Sequence, residues 1–168
     1  MTKKPNFTKL KKIRLVISDV DGVLTDGSMY YSEKGEFLKK FNTRDGMAVE
    51  LLRKNKIFTI LMTKEKSLAV KHRAKKIKVR KTYLGTITKE SKLSEICKKF
   101  KVTTNEIAYI GDDINDIEIM KKVGLSVTPS DGVQAVKQLA DYICKLKGGE
   151  GVLRELTDLI IVSKQKKN

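Results

Sequence analysis

The chain has little of several residue types, and each scarcity removes a class of protein. Only two cysteines, Cys97 and Cys144, occur in 168 residues. They stand far apart and match no metal-site or disulfide spacing, so they read as core packing in a reducing compartment, which sets an expectation of the cytoplasm. Aromatic residues make up 6% of the chain. That is too few for a base-stacking platform, and neither a helix-turn-helix signal nor a zinc spacing is present. Specific nucleic-acid binding normally shows one of these, so no nucleic-acid partner is expected. No apolar run approaches the ~18 residues of a membrane helix, so no membrane partner is expected either. The stretch Met1-Thr-Lys-Lys-Pro5 carries charge with no apolar core behind it, so no secretory signal is expected. No Gly-x-Gly-x-x-Gly follows an apolar run, which argues against a dinucleotide. The single histidine, His72, lies in a basic stretch and reads as solvated.

Positive charge is abundant. Lysine and arginine number 36 against 20 acidic residues, a formal net charge of +16. Such a field draws in anions. With the nucleic-acid signals missing, a small acidic substrate is the reading that gives the charge a use. Most of the densest run, Lys71 to Lys81, is expected to be a solvated face. Apolar content of 40% and charged content of 33% describe a globular chain of one domain over 1–168. A basic arm is expected over 1–12, a β-hairpin flap over 28–41 and a basic tail over 164–168.

Apolar runs alternate with helical periodicity along the chain. Strands are expected at Leu15-Val-Ile17, Ile57 to Met62, near Thr82 to Leu84, Glu106 to Ile110, Leu125 to Val127 and Tyr142 to Cys144. Helices are expected from Met47 to Leu52 with Asp45 as a candidate cap, from Ser67 to about Ile77, from Lys89 to Phe100, after Asp116 to Val123, after Gly132, and from Val152 to Val162. Thr104 is a candidate cap for a short turn. The two extended runs around Glu33-Lys-Gly35 read as a hairpin with a glycine for positive φ. Together these predict an α/β fold: a Rossmann-like three-layer sandwich with a central parallel sheet, a projecting hairpin and no cap domain.

The first strand organises the rest. It ends in Ser18-Asp-Val-Asp21-Gly-Val-Leu-Thr25-Asp26-Gly27, three carboxylates within eight residues. Carboxylates this close repel one another unless a cation lies between them, and oxygen ligands of this kind suit Mg²⁺. In such sheets ligands bind beyond the carboxyl ends of the strands, where Asp19/Asp21, Thr63 and Asp112/Asp113/Asp116 all fall. Asp19, Asp21 and Asp112 can gather the metal. Thr63 offers a hydroxyl and an N–H at a helix start, and Lys89 adds a fixed positive charge, with Lys92 as its competitor. A cation, a lysine and helix-end amides suit a phosphate group. Asp19 is placed to attack phosphorus and form an aspartyl phosphate. Asp21, two residues on, is placed to protonate the leaving alkoxide and then to take a proton from water.

The run Asp19-Val-Asp21-Gly-Val-Leu-Thr25-Asp26-Gly27 resembles the first motif of haloacid dehalogenase superfamily phosphatases. Thr63 resembles the second motif, Lys89 the third, and Gly111-Asp112-Asp113-x-Asn115-Asp116 the fourth. The resemblance implies Asp19 as nucleophile, Asp21 as acid and base and as a metal ligand through its carbonyl, and Asp112 as the remaining Mg²⁺ ligand. Asp113 and Asp116 would orient their neighbours. The form of the first motif, Phe41-Asn-Thr-Arg-Asp-Gly46 and Gly148-Gly-Glu-Gly151 are similar to a capless subgroup of sugar-acid phosphatases. Its members act on 3-deoxy-D-manno-octulosonate 8-phosphate or on 9-phosphates of nine-carbon, sialic-acid-like keto acids. That resemblance implies a homotetramer in which the hairpin and the glycine-rich loop lie near neighbouring sites. It points to Asn42, Arg44, Asp45, Gly46, Glu65, Arg73 and Lys76 as substrate-binding residues. Thr63-Lys-Glu-Lys66 stands where the eight-carbon enzymes usually have Thr-Gly-Arg, which leaves the sugar open. The alternative is a catalytically silent assembly module like the one fused to some sialic acid cytidylyltransferases. Retention of Asp19, Asp21, Lys89 and Asp112 argues against it.

Overall fold

A computed structural model of the protein describes residues 4–165. The expected basic tail and the first residues of the expected basic arm lie partly outside them. The arm is in fact helical over α1 (Phe7–Lys12), capped by the Asn6 side chain, which accepts the Lys9 N–H. Lysines dominate this segment, but Leu10 is buried and packs the helix against the C-terminal helix, an anchor too sparse to show as periodicity.

After α1 come β1 (Leu15–Ser18), the hairpin strands β2 (Tyr30–Ser32) and β3 (Gly35–Leu38), α2 (Thr43–Lys54), β4 (Phe58–Met62), α3 (Leu68–Lys76) and β5 (Lys81–Tyr83). A 3-10 turn over Lys89–Lys92 leads into α4 (Leu93–Phe100). Then follow β6 (Ile107–Ile110), α5 (Ile117–Met120), β7 (Leu125–Thr128), α6 (Gln134–Leu139), β8 (Tyr142–Ile143) and α7 (Val152–Gln165). The six longer-range strands form one parallel sheet in the order β5-β4-β1-β6-β7-β8, and β2 pairs with β3 alone. Successive strand residues point to opposite faces. Val16, Leu61, Ala108 and Ile110 meet α1, α2, α3 and α7 through Leu10, Leu52, Val70 and Leu156. Leu15, Ile17, Ile60, Met62, Ile107 and Tyr109 meet α4, α5 and α6 through Ile96, Phe100, Ile119 and Val136. This is the three-layer sandwich that the sequence predicts, with apolar strands buried on both faces.

The other departures are at element ends, and side-chain caps account for two of them. Helix α2 begins before Met47 because Asn42, not Asp45, caps it: Asn42 Oδ1 accepts the Arg44 N–H at 2.9 Å. Thr103 rather than Thr104 caps the turn before β6, in a reciprocal pair with Glu106. Helix α7 runs on to Gln165 instead of stopping at Val162. In the hairpin, Gly35 takes φ +100°, as the turn requires.

Candidate active site

All strands of the main sheet are parallel, so their carboxyl ends share one edge. The order reverses between β1 and β6, where a crevice opens. Asp19 leaves β1 there, its N–H held by the Ile110 carbonyl at 2.9 Å. Asp112 follows β6, and Thr63 follows β4 with its N–H on the Tyr83 carbonyl at 2.9 Å. Asp19, Asp21, Thr63, Lys64, Glu65, Asp112 and Asp113 line one cavity of about 640 Å³.

The turn after Asp19 is wound tightly. The Thr25 hydroxyl oxygen accepts the N–H groups of Gly22 and Gly27 at 3.3 and 3.2 Å. Both glycines have positive φ. Gly22 is also required for space, because a Cβ there would stand 2.0 Å from Asp112 Oδ2. The turn and the fourth-motif carboxylate are therefore pressed together. Asp26, the third carboxylate of the first motif, turns away to Lys40 and the Ser28 N–H.

Beneath the crevice lies a buried charge network. Lys89 Nζ is 2.6 Å from Asp19 Oδ2 and 2.6 Å from Asp116 Oδ1, with no exposed surface. Lys89, and not Lys92, is thus the lysine the fold brings to Asp19. Asp19 Oδ1 accepts the Val20 N–H at 2.7 Å, so both oxygens of that carboxylate are fixed. Asp116 Oδ1 also accepts the Tyr109 hydroxyl at 2.6 Å, and its Oδ2 accepts the Asp112 N–H at 3.0 Å. Burial, then Asp116, push the Asp19 carboxyl up despite Lys89. Burial pulls the Lys89 ammonium down, but Asp19 and Asp116 outweigh it and raise it. Burial, then Asp116 and Asp113, push Asp112 up to about 7.

Three carboxylates against one ammonium leave a surplus of negative charge at the floor of the crevice. Oxygens of Asp19, Asp112 and Asp116 lie within 4.8 Å of one another. The donors are all oxygen and the surplus is negative, so the residues fit a hard divalent cation such as Mg²⁺. Asp19 and Asp112 line the cavity and Asp116 does not, so Asp19 and Asp112 are the carboxylates placed to hold the ion. Asp113 caps the turn over Ile114–Asp116.

One group that sequence reasoning missed is Lys39, just past β3. Its side chain is wholly buried and its Nζ lies 2.6 Å from Asp21 Oδ1 and 3.0 Å from Glu36 Oε2. Nothing marks it in the run Leu38-Lys-Lys-Phe41 except its spacing from Glu36. Tyr109, read simply as strand, is the second group missed.

The expected substrate-binding residues divide. Glu65 lines the crevice. Asn42, Arg44, Asp45, Gly46, Arg73 and Lys76 do not line it within this chain. Arg73 is half-buried, donates to the Asn42 carbonyl at 2.8 Å and stacks on Phe41. Gly46 gives it room, since a Cβ there would meet Arg73 Nη2 at 3.0 Å. Lys76 is exposed a turn further on, and Arg44 is exposed beside Gly151. Asp45 is buried, and its Oδ1 accepts the Arg154 N–H at 3.1 Å, capping α7 rather than α2. The glycine-rich loop, expected near a neighbour's site, packs on the chain's own first motif: the Gly149 N–H meets the Val23 carbonyl at 2.9 Å.

A sheet that reverses at an Asp-x-Asp turn, with a buried lysine and a fourth acidic motif beside it, defines a class, and comparison with known proteins agrees. The family model for haloacid dehalogenase-like hydrolases matches residues 7–156, and the chain belongs to that family. Among characterised relatives it is 37% identical over 160 residues to the 3-deoxy-D-manno-octulosonate 8-phosphate phosphatase KdsC of Salmonella typhi, covering 95% of this chain and 85% of that one. The crystal structure of the phosphatase of that name from Yersinia pestis superposes with a TM-score of 0.92 at 35% identity, over 95% of this chain and 86% of the other. The Moraxella catarrhalis enzyme, solved with a magnesium ion, a phosphate ion and a KDO molecule, matches with a TM-score of 0.90 at 31% identity, over 94% of this chain and 91% of that one.

Proposed function

We propose that this protein is a magnesium-dependent phosphatase of 3-deoxy-D-manno-octulosonate 8-phosphate, acting through an aspartyl phosphate on Asp19. The observation that carries the reading is the Lys89 ammonium held 2.6 Å from Asp19 beneath a cavity that Asp21 and Asp112 also line. A silent assembly module has no need for a buried lysine on a crevice-lining carboxylate. The likeness to octulosonate phosphatases supports the substrate.

Asp19 and the Asp21 carbonyl, with Asp112, would hold Mg²⁺. When bound, the ion supplies charge stabilisation for the phosphoryl oxygens. Asp19, its plane fixed by Val20 and Lys89, forms the new O–P bond as the sugar C–O–P linkage breaks at phosphorus. Asp21 gives its proton to the leaving alkoxide. It then takes one from the water that opens the aspartyl phosphate, freeing inorganic phosphate and restoring Asp19. Lys89 and the Thr63 hydroxyl stabilise charge on the transferring group. Asp116 orients Lys89 and Asp112 from beneath, and Asp113 fixes the turn beside them.

The enzyme works in the cytoplasm as a homotetramer in this reading. Support comes from the hairpin, whose Tyr31 and Phe37 are 64% and 75% exposed in the single chain, a surface suited to a second copy. Among the described residues no helix is long and apolar enough to cross a membrane. A neighbouring copy would bring Arg73 and Lys76, with the Asn42–Gly46 segment, toward the sugar acid. The nine-carbon 9-phosphates form a second reading, favoured by Glu65 lining the crevice where an arginine is usual in the eight-carbon enzymes. The deciding measurement is kcat/KM on the eight-carbon 8-phosphate, a nine-carbon 9-phosphate and hexose phosphates, with and without Mg²⁺. The expected outcome is metal-dependent turnover with the eight-carbon ester first. Equal rates on all of them would defeat the substrate assignment, and no metal-dependent turnover would defeat the enzyme.

A further inference from the structure

Among the described residues two lysines are buried, and each sits on one aspartate of the Asp-x-Asp motif: Lys89 on Asp19 and Lys39 on Asp21. Burying an ammonium is costly unless carboxylates surround it. This chain has a lysine-rich surface, and Lys40, the next residue, lies 65% exposed on Asp26. Lys39 is buried although it follows an otherwise exposed hairpin.

We infer that Lys39 is a positioning residue for Asp21: it holds that carboxyl in the orientation that delivers a proton to the leaving oxygen, and it ties the hairpin's placement to that delivery. The inference rests on the phosphatase reading above. Lys39 Nζ fixes Asp21 Oδ1 at 2.6 Å, while the Thr63 hydroxyl lies 3.5 Å from Oδ2. On its other side Lys39 holds Glu36 Oε2 at 3.0 Å, and Glu36 Oε1 accepts the hydroxyl of Ser67, the residue that caps α3. The chain of contacts runs from the α3 cap, through a hairpin carboxylate and a buried ammonium, to Asp21. Lys39 does not line the crevice, so it acts on substrate only through Asp21. A general acid must lie within hydrogen-bond reach of the atom it protonates, and an untethered carboxyl would leave that geometry much of the time.

Phenyl phosphate and p-nitrophenyl phosphate test this, being nearly equal in shape. Nitrophenolate leaves without a proton, whereas phenolate needs one far more. kcat/KM covers the steps up to phosphoryl transfer, so it is blind to the later hydrolysis. In Lys39→Met the value for phenyl phosphate should fall about tenfold more than that for p-nitrophenyl phosphate, a part of the whole general-acid effect. In an Asp21→Asn background the same substitution should leave the ratio where it was, because the two act as one unit. Glu36→Gln, which frees Lys39 from one of its carboxylates, should move the ratio the same way and keeps the test alive if Lys39→Met does not fold. Equal losses on both esters in Lys39→Met, or an unchanged ratio in Glu36→Gln, would overturn the inference. Wild-type protein that hydrolyses neither ester would instead bring down the phosphatase reading, and this one with it.

Discussion

A Cβ on Gly148 would stand 2.1 Å from the carbonyl oxygen of Gly22. The loop before α7 and the turn that carries the Asp-x-Asp motif are thus in backbone contact. The same loop is stitched down by the Gly149 N–H on Val23 and by the Asn42 side-chain amide on the Gly149 carbonyl, at 2.9 and 3.0 Å. It serves its own chain's first motif, whatever else it meets in an assembly.

Gly148→Ala should therefore reach the chemistry as well as the fold. One added methyl must push the Gly22 and Thr25 carbonyls, both backbone groups, and so shift Asp21 and the Asp112 approach. Overpacking of this kind costs about 1–3 kcal/mol. The expected result is a lower urea midpoint together with a fall in kcat larger than the lost folded fraction explains. A variant with wild-type kcat would show that the turn tolerates the displacement.

Lys89→Met tests the buried network. The substitution keeps volume but leaves Asp19 and Asp116 without the ammonium that sits 2.6 Å from each. Breaking a buried ion pair by removing one partner costs about 3–5 kcal/mol. Urea denaturation should show a loss of that order, and turnover should fall by at least 100-fold. Adding Asp116→Asn should restore part of the stability, since one orphaned charge is then gone, but none of the activity. A double variant as unstable as the sum of the two singles would rule out the shared network.

The gathering of Asp19, Thr63 and Asp112 at one crevice was largely legible in the residues, and the reason is topological. Asp19, Thr63 and Asp112 each follow an apolar run that had to be a buried parallel strand, and parallel strands end on one edge. Lys39 was not legible. It lies past an irregular hairpin whose register shifts between Tyr30 and Tyr31, and no periodicity tells its neighbour Lys40, exposed, from Lys39, buried. Asp45 was misassigned for a related reason. Asn42 and Asp45 are both good caps for the helix that follows, and the stretch itself does not say which one is spent on a helix 109 residues away. Local signals place elements; contacts between distant ends are decided by packing.

Asp45 carries a prediction of its own. The residue is 3% exposed and its carboxylate caps the first turn of α7. Loss of a capping side chain costs about 0.5–2 kcal/mol. Asp45→Ala should lower Tm by a few degrees, at roughly 2–4 °C per kcal/mol for a chain of this size. Because the residue does not line the crevice, kcat on a small aryl phosphate should follow the folded fraction alone. A specific loss of kcat on the aryl ester in fully folded Asp45→Ala would mean that the α7 cap also sets the geometry of the crevice.

Metal and pH are linked through Asp112. Burial first, then Asp116 and Asp113, push its carboxyl up to about 7, and burial pushes Asp45 up to about 6. Asp19 moves the same way. An unfolded Asp titrates near ~3.9, so between about pH 4 and 7 the metal-free native state holds more protons than the unfolded chain. Stability then falls as pH rises through that window. Carboxylates whose values are lowered, such as Asp141 and Glu106, act oppositely, but they give up their contribution only as pH drops below the ordinary carboxylate range. Mg²⁺ selects the ionised form and should reverse the trend, adding about 2.7 kcal/mol at a hundredfold excess over Kd. Urea midpoints of chelator-treated protein should therefore be lower at pH 7 than at pH 5, and Mg²⁺ should raise the pH 7 value. In Asp112→Asn the slope should flatten, the metal-free protein should be at least as stable as wild type at pH 7, and the magnesium shift should vanish. A metal-free wild-type midpoint that climbs from pH 5 to 7 would mean that the carboxylates are not crowded in this way, and the case for a cation between Asp19 and Asp112 would lose its physical ground.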